Sequence, residues 1–120
     1  MYKEFFSKVR NDIEEQQRVL LTFATRSDIS QNDKALLLKA EYYLLRLSRV
    51  SYIDKINSTI FRLRESQNAF PDLHGKTRSL PLRNHYEEII RLVAMIQSEL
   101  LSTTIEKNNE NVDDEEGGQV

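Results

Sequence analysis

Apolar residues recur at three- and four-residue steps along nearly the whole chain, which predicts helices and leaves no convincing length of strand alternation. The first stripe is Tyr2, Phe5, Phe6, Val9, Ile13, Leu20 and Ala24, interrupted by Gln16 and Gln17. It predicts a helix from Tyr2 to about Thr25. Thr25–Ser30 then reads as a loop, rich in side chains that compete for backbone hydrogen bonds. Ser30 or Asn32 is the candidate cap for the next helix.

Two stripes follow on what reads as one long central helix, from about Asn32 to about Ser66. One holds Leu38, Tyr42, Leu45, Tyr52, Ile56, Ile60 and Leu63; the other holds Leu36, Ala40, Tyr43, Leu47 and Val50. Two apolar faces require cover from two sides. A helix of that length spans about 50 Å at 1.5 Å per residue, more than the first helix can cover. A third helix or a second chain must supply the rest. Asn68, Pro71, Asp72 and Gly75 predict a connection over 67–80, and Pro81 suits the first turn of a last helix ending near Ser102. Tyr86, Ile89, Ile90, Val93, Ile96, Leu100 and Leu101 form its inward stripe. The expected fold is all-α: an elongated helical bundle with one long central helix. Its helical domain covers 1–104, and a disordered acidic linker or tail covers 105–120.

Composition narrows this picture. A chain of 120 residues, 39% of them apolar, builds one modest core. At this size about 60–70% of the unfolded surface can be buried, which leaves room for a partner to add more. The absence of cysteine removes disulfides, thiolate metal sites and cysteine nucleophiles. No signal peptide follows Lys3 and no apolar run reaches the roughly 20 residues of a membrane helix. A cytoplasmic location is expected, or a nuclear one in a eukaryote. Net charge is −2 but unevenly placed. Residues 34–64 carry seven Lys/Arg against Glu41 and Asp54, a local +5. Residues 105–120 carry six acids against Lys107, a local −5.

Candidate chemistry is sparse. His74 and His85 stand eleven residues apart without a matching carboxylate pattern, so no metal or cofactor is expected. Two of the three glycines lie in the acidic tail, which leaves no phosphate-binding loop. Glu14-Glu15 and Glu87-Glu88 are sequence neighbours and point to different sides of a helix, so neither pair is a catalytic dyad. Arg78, six intervening residues and His85 resemble the arginine-to-histidine spacing of HEPN-type ribonucleases, which are small helical bundles. Lys39, Arg46, Arg49, Lys55, Arg62 and Arg64 could approach phosphates, but no nucleic-acid recognition motif accompanies them. Tyr42, Tyr43 and Tyr52 among those arginines have the composition of a protein interface.

Three stretches together resemble the helical domain of GINS replication-complex subunits, the archaeal type in which that domain comes first. They are Tyr2-Lys-Glu-Phe-Phe-Ser-Lys-Val, the segment from Lys39 to Ile56, and Leu80-Pro-Leu-Arg-Asn-His-Tyr-Glu-Glu-Ile-Ile-Arg-Leu-Val93. The likeness spans roughly residues 2–101 and lies in the order of the stretches, not in a single motif. It implies a non-catalytic scaffold without a cofactor that pairs with a second GINS-type subunit or with itself. Such a scaffold joins the MCM helicase and a RecJ-like partner. Family members continue into a small β-rich domain, whereas this chain stops at Val120, so it is expected to be shortened or to come from a lineage without that domain. Mapped onto this sequence, the expected subunit contacts are Tyr43, Leu47 and Val50, with Arg46 and Arg49 at the rim. A small phage or bacterial adaptor that modulates a larger enzyme is the alternative.

Overall fold

The computed structural model describes the backbone of residues 2–49 and 56–118 and the side chains of 4–49 and 58–102. It is all-α. The elements are α1 (Tyr2–Ala24), α2 (Gln31–Ser48), α3 (Ile56–Lys76) and α4 (Leu80–Gly118). Each helix packs against its chain neighbour, and α1 closes on α4, so the four surround one core. Phe6, Ile13 and Leu20 of α1 meet Leu37, Leu44 and Leu47 of α2 in that core. Leu63, Phe70 and Leu73 of α3 and Leu82, Tyr86, Ile89, Val93 and Leu100 of α4 complete it.

The long central helix is not present. α2 ends at Ser48 and α3 begins at Ile56, and the two pack side by side. Arg46 bonds Glu65 at 2.7 Å, and the Tyr43 and Phe70 rings lie 6.4 Å apart. On a continuous helix these pairs would be separated by about 28 and 40 Å. Local hydrogen bonds close the end of α2. Ser48 turns its hydroxyl onto the Leu45 carbonyl at 2.7 Å, and Arg49 caps the helix with its N–H on the Leu47 carbonyl. The gain is tertiary: α1 and α3 both pack on the inner side of α2, around Leu37, Ala40, Leu44 and Leu47, while the stripe of Leu38, Tyr42 and Leu45 stays exposed. The expected cover of both apolar faces is met only in part: folding back buries the Ala40 and Leu47 side of α2 and leaves the Leu38 stripe open.

The expected connection over 67–80 is also corrected. α3 runs through to Lys76 with Pro71 inside it, and the turn is confined to Thr77–Ser79. Proline costs a helix interior about 3 kcal/mol. Burying Phe70 and Leu73 contributes about 3–6 kcal/mol, which outweighs that cost. Pro71 itself faces solvent.

Caps define the remaining ends. Ser30 accepts the Asp33 N–H at 3.1 Å and starts α2, as the sequence allowed. Ser79 starts α4: its carbonyl accepts the Arg83 N–H at 2.9 Å and its hydroxyl the Leu82 N–H at 3.5 Å. Pro81 then sits in the first turn, where it displaces no helical hydrogen bond. The backbone of α4 continues past Leu100, the last buried residue among the described side chains, to Gly118. The stretch 105–120, read as a solvated tail, lies outside the residues whose side chains are described.

Candidate functional site

Polar side chains near the core divide into those tied down and those sealed in. Asp33 is buried and accepts the backbone N–H groups of Arg78 at 3.2 Å and Ser79 at 2.9 Å, joining α2 to the start of α4. Arg83 donates to the Thr77 carbonyl at 3.3 Å and closes the same turn. His74 on α3 meets Glu87 on α4 at 2.9 Å, and Gln67 bonds Gln97 between the same two helices. His85 is different. It is only 3% exposed, its ring stacks on Phe23 at 5.6 Å, and neither ring nitrogen completes a well-formed hydrogen bond, although the Gln16 backbone lies close enough to favour its protonated form. Burial pushes its pKa down, against weaker opposing pulls from the Glu88 carboxylate and the Gln16 backbone.

This placement bears on the arginine–histidine spacing. Arg78 lies in the exposed turn, whereas His85 packs inward on α1. A general base must reach a substrate proton within hydrogen-bond distance, and a ring sealed against Phe23 presents no nitrogen to solvent. Among the described residues, no group of three or more His, Asp or Glu side chains is arranged to hold a metal ion.

Two surface concavities accompany α2. The larger, about 540 Å³, lies between α2 and α3 and is lined by Lys39, Tyr43, Glu65, Asn68, Asp72 and Leu73. Its acids are occupied: Glu65 bonds Arg46, and Asp72 meets Lys76 at 3.1 Å. The smaller, about 230 Å³, is a notch between α1 and α2 lined by Gln17, Leu21, Glu41 and Leu45.

That notch marks an apolar surface. Leu38, Tyr42 and Leu45 stand four and three residues apart on the outer face of α2, with Leu21 of α1 beside them. Their exposures are 69%, 53%, 42% and 57%, respectively. Phe61, Leu80, Met95 and Leu101 are exposed elsewhere. Cations frame the α2 ridge. At 100° per residue, Arg49 falls in line with it, Lys39 and Arg46 along one edge, and Lys34 and Glu41 along the other. The Arg46 guanidinium lies 5.7 Å from the Tyr42 ring centre, and hydrogen bonding to Glu65 raises its pKa further.

The residues expected to contact a partner separate accordingly. Leu47 is wholly buried within its own chain and is not available to a second subunit, which corrects that assignment. Tyr43 is half-buried, with its ring edge toward Phe70. Arg46 is half-buried and paired, and Arg49 is exposed. Val50, Tyr52 and Lys55 lie outside the described residues. The surface stripe is the one containing Leu38, Tyr42 and Leu45, which helical spacing had already separated from the Leu47 stripe. Spacing alone gave no signal as to which stripe would face inward. No helix among the described residues is long and apolar enough to cross a membrane.

The fold and this surface define a four-helix bundle with an exposed apolar ridge. No protein-family model, curated protein or solved structure matches the chain.

Proposed function

We propose that this chain is a non-catalytic scaffold or adaptor that binds another protein chain through the outer face of α1 and α2. One observation carries the reading: Leu21, Leu38, Tyr42 and Leu45 form an exposed apolar surface across two adjacent helices, framed by cations. Large apolar side chains with a polar rim are the composition of a protein interface. The sealed position of His85 speaks against the ribonuclease alternative. The pairing of Arg46 with Glu65 removes one cation from a phosphate-binding stripe.

The resemblance to GINS helical domains suggests one such assembly, a replication scaffold that contacts a second subunit, the MCM helicase and a RecJ-like partner. One of its three stretches, Lys39 to Ile56, is not a single helix in this chain, which takes support from that assignment. The second reading, a small phage or bacterial adaptor that binds and modulates a larger enzyme, rests on the same exposed surface. Co-purification of the chain with an MCM helicase and a GINS-type subunit separates the two. The shared reading is tested by Leu38→Asp and Leu45→Asp, which should abolish partner binding while the helical circular dichroism stays unchanged. Binding that survives both substitutions sinks it.

A further inference from the structure

The charges around the α2 ridge say which surface can cover it. Lys34, Lys39 and Arg49, beside the Arg46–Glu65 ion pair, face one acid, Glu41, along the α2 edges of Leu38, Tyr42 and Leu45. Two copies meeting through this same face would bring like charges together, which disfavours a symmetric ridge-on-ridge contact. The complement is an acidic segment with a few apolar residues. This chain contains one: residues 105–120 hold Glu106, Glu110, Asp113, Asp114, Glu115 and Glu116 against Lys107, with Ile105 and Val112 seven residues apart.

Its own α2 is poorly placed to receive that segment. Among the described residues α4 packs against α3 and α1, and its backbone runs on as helix to Gly118, past Leu100, the last buried residue of the described side chains. At 39 residues α4 is far longer than α1, α2 or α3, of 23, 18 and 21 residues, so its end runs past the end of its own bundle. Residues 106–118 span about 20 Å as a helix, and Leu38 to Arg49 span about 17 Å, so the lengths match.

Resting on the proposed binding role of the α1–α2 face, we infer that the ridge Leu38–Tyr42–Leu45 receives the acidic end of α4, residues 103–118, from a second copy of this chain. If each copy's acidic end lies on the other's ridge, the assembly closes as a two-fold exchanged dimer and does not propagate into a filament. Because the contact joins a basic face to an acidic segment, its strength falls as salt rises.

The test uses the full chain and light scattering over a dilution series, at about 0.05 M and about 0.5 M salt, where the Debye length shortens about three-fold. The expected mass is twice 14.1 kDa at low salt, falling toward 14.1 kDa at high salt. Lys39→Glu with Arg49→Glu should weaken association at least ten-fold, as should Asp113→Lys with Glu116→Lys. The four substitutions together should restore it, an outcome that neither misfolding nor a general charge effect produces. A monomer at low salt overturns the inference, and so does a dimer indifferent to both reversals. If the reversals have no effect but Leu38→Asp and Leu45→Asp dissolve the dimer, the ridge remains a binding face and the acidic occupant is wrong. An association that ignores Leu38 and Leu45 removes the ridge itself.

Discussion

Asp33 on α2 accepts the backbone N–H of Ser79 at 2.9 Å across 46 residues of sequence, and its other oxygen takes the N–H of Arg78 at 3.2 Å. The carboxylate thereby serves two helix starts at once. It lies in the first turn of α2, where its own N–H is capped by Ser30, and it satisfies donors at the entrance to α4. Negative charge is favoured at both positions by the helix dipoles. Hydrogen bonds to a buried charged acceptor contribute about 1.5–3 kcal/mol each. Asp33→Ala should therefore lower unfolding stability by about 2–4 kcal/mol, and Asp33→Asn by less, because an amide keeps only one accepting oxygen. Urea unfolding reads this directly; an unchanged midpoint for Asp33→Ala refutes the role.

His85 should make stability depend on pH. Its pKa in the folded chain lies below 6.5, chiefly through burial, so just below that value the unfolded chain binds a proton that the folded chain does not. Stability from this group is complete above 6.5 and declines as pH falls through that value toward the folded pKa. Glu88, the Gln16 carbonyl, Phe23 and Tyr86 surround the ring, and Glu88 moderates the effect. His85→Phe should flatten the slope of melting temperature against pH between about 7 and 5. It should also remove two buried nitrogens that complete no well-formed hydrogen bond. Equal slopes in the two proteins would show that another group is responsible.

Helix α3 should gain stability on losing its two breakers. Gly75 lies within the helix without positive φ, and a Cβ built there meets nothing within 4 Å. Gly75→Ala should add about 0.4–1 kcal/mol, mostly by restricting the unfolded chain. Pro71→Ala restores an N–H to a helix interior where proline costs up to about 3 kcal/mol. Thermal melts should rise for each variant and further for the pair. A fall for Gly75→Ala would mean that its backbone is held away from helical geometry.

Leu47 and Leu45, two residues apart on α2, should respond in opposite ways. Leu47 is wholly buried, so Leu47→Ala should cost about 2–5 kcal/mol and leave any docking by the folded fraction intact. Leu45 is exposed, so Leu45→Ala should change stability by less than about 0.5 kcal/mol while weakening docking. Melting and light scattering on the same samples separate the two effects, and matching responses at both positions would contradict the assigned faces.

The sequence by itself determined the helical character of the chain, the start of α1, the Ser30 cap and the placement of Pro81. These follow from local signals: the 3.6-residue period, capping chemistry and the missing N–H of proline. It also showed the charge asymmetry, because charge is a property of composition. Only the tertiary structure decided that the central segment folds back after Ser48, that α3 passes through Pro71, and that Leu47 faces inward while Leu38, Tyr42 and Leu45 face outward. The apolar period is the same on a continuous helix and on two helices that fold back on each other, so periodicity cannot tell them apart. Which stripe is buried depends on the neighbour that arrives to cover it. Asp33 shows the same limit: its partners at Arg78 and Ser79 lie far along the chain, and only packing brings them within 3.3 Å.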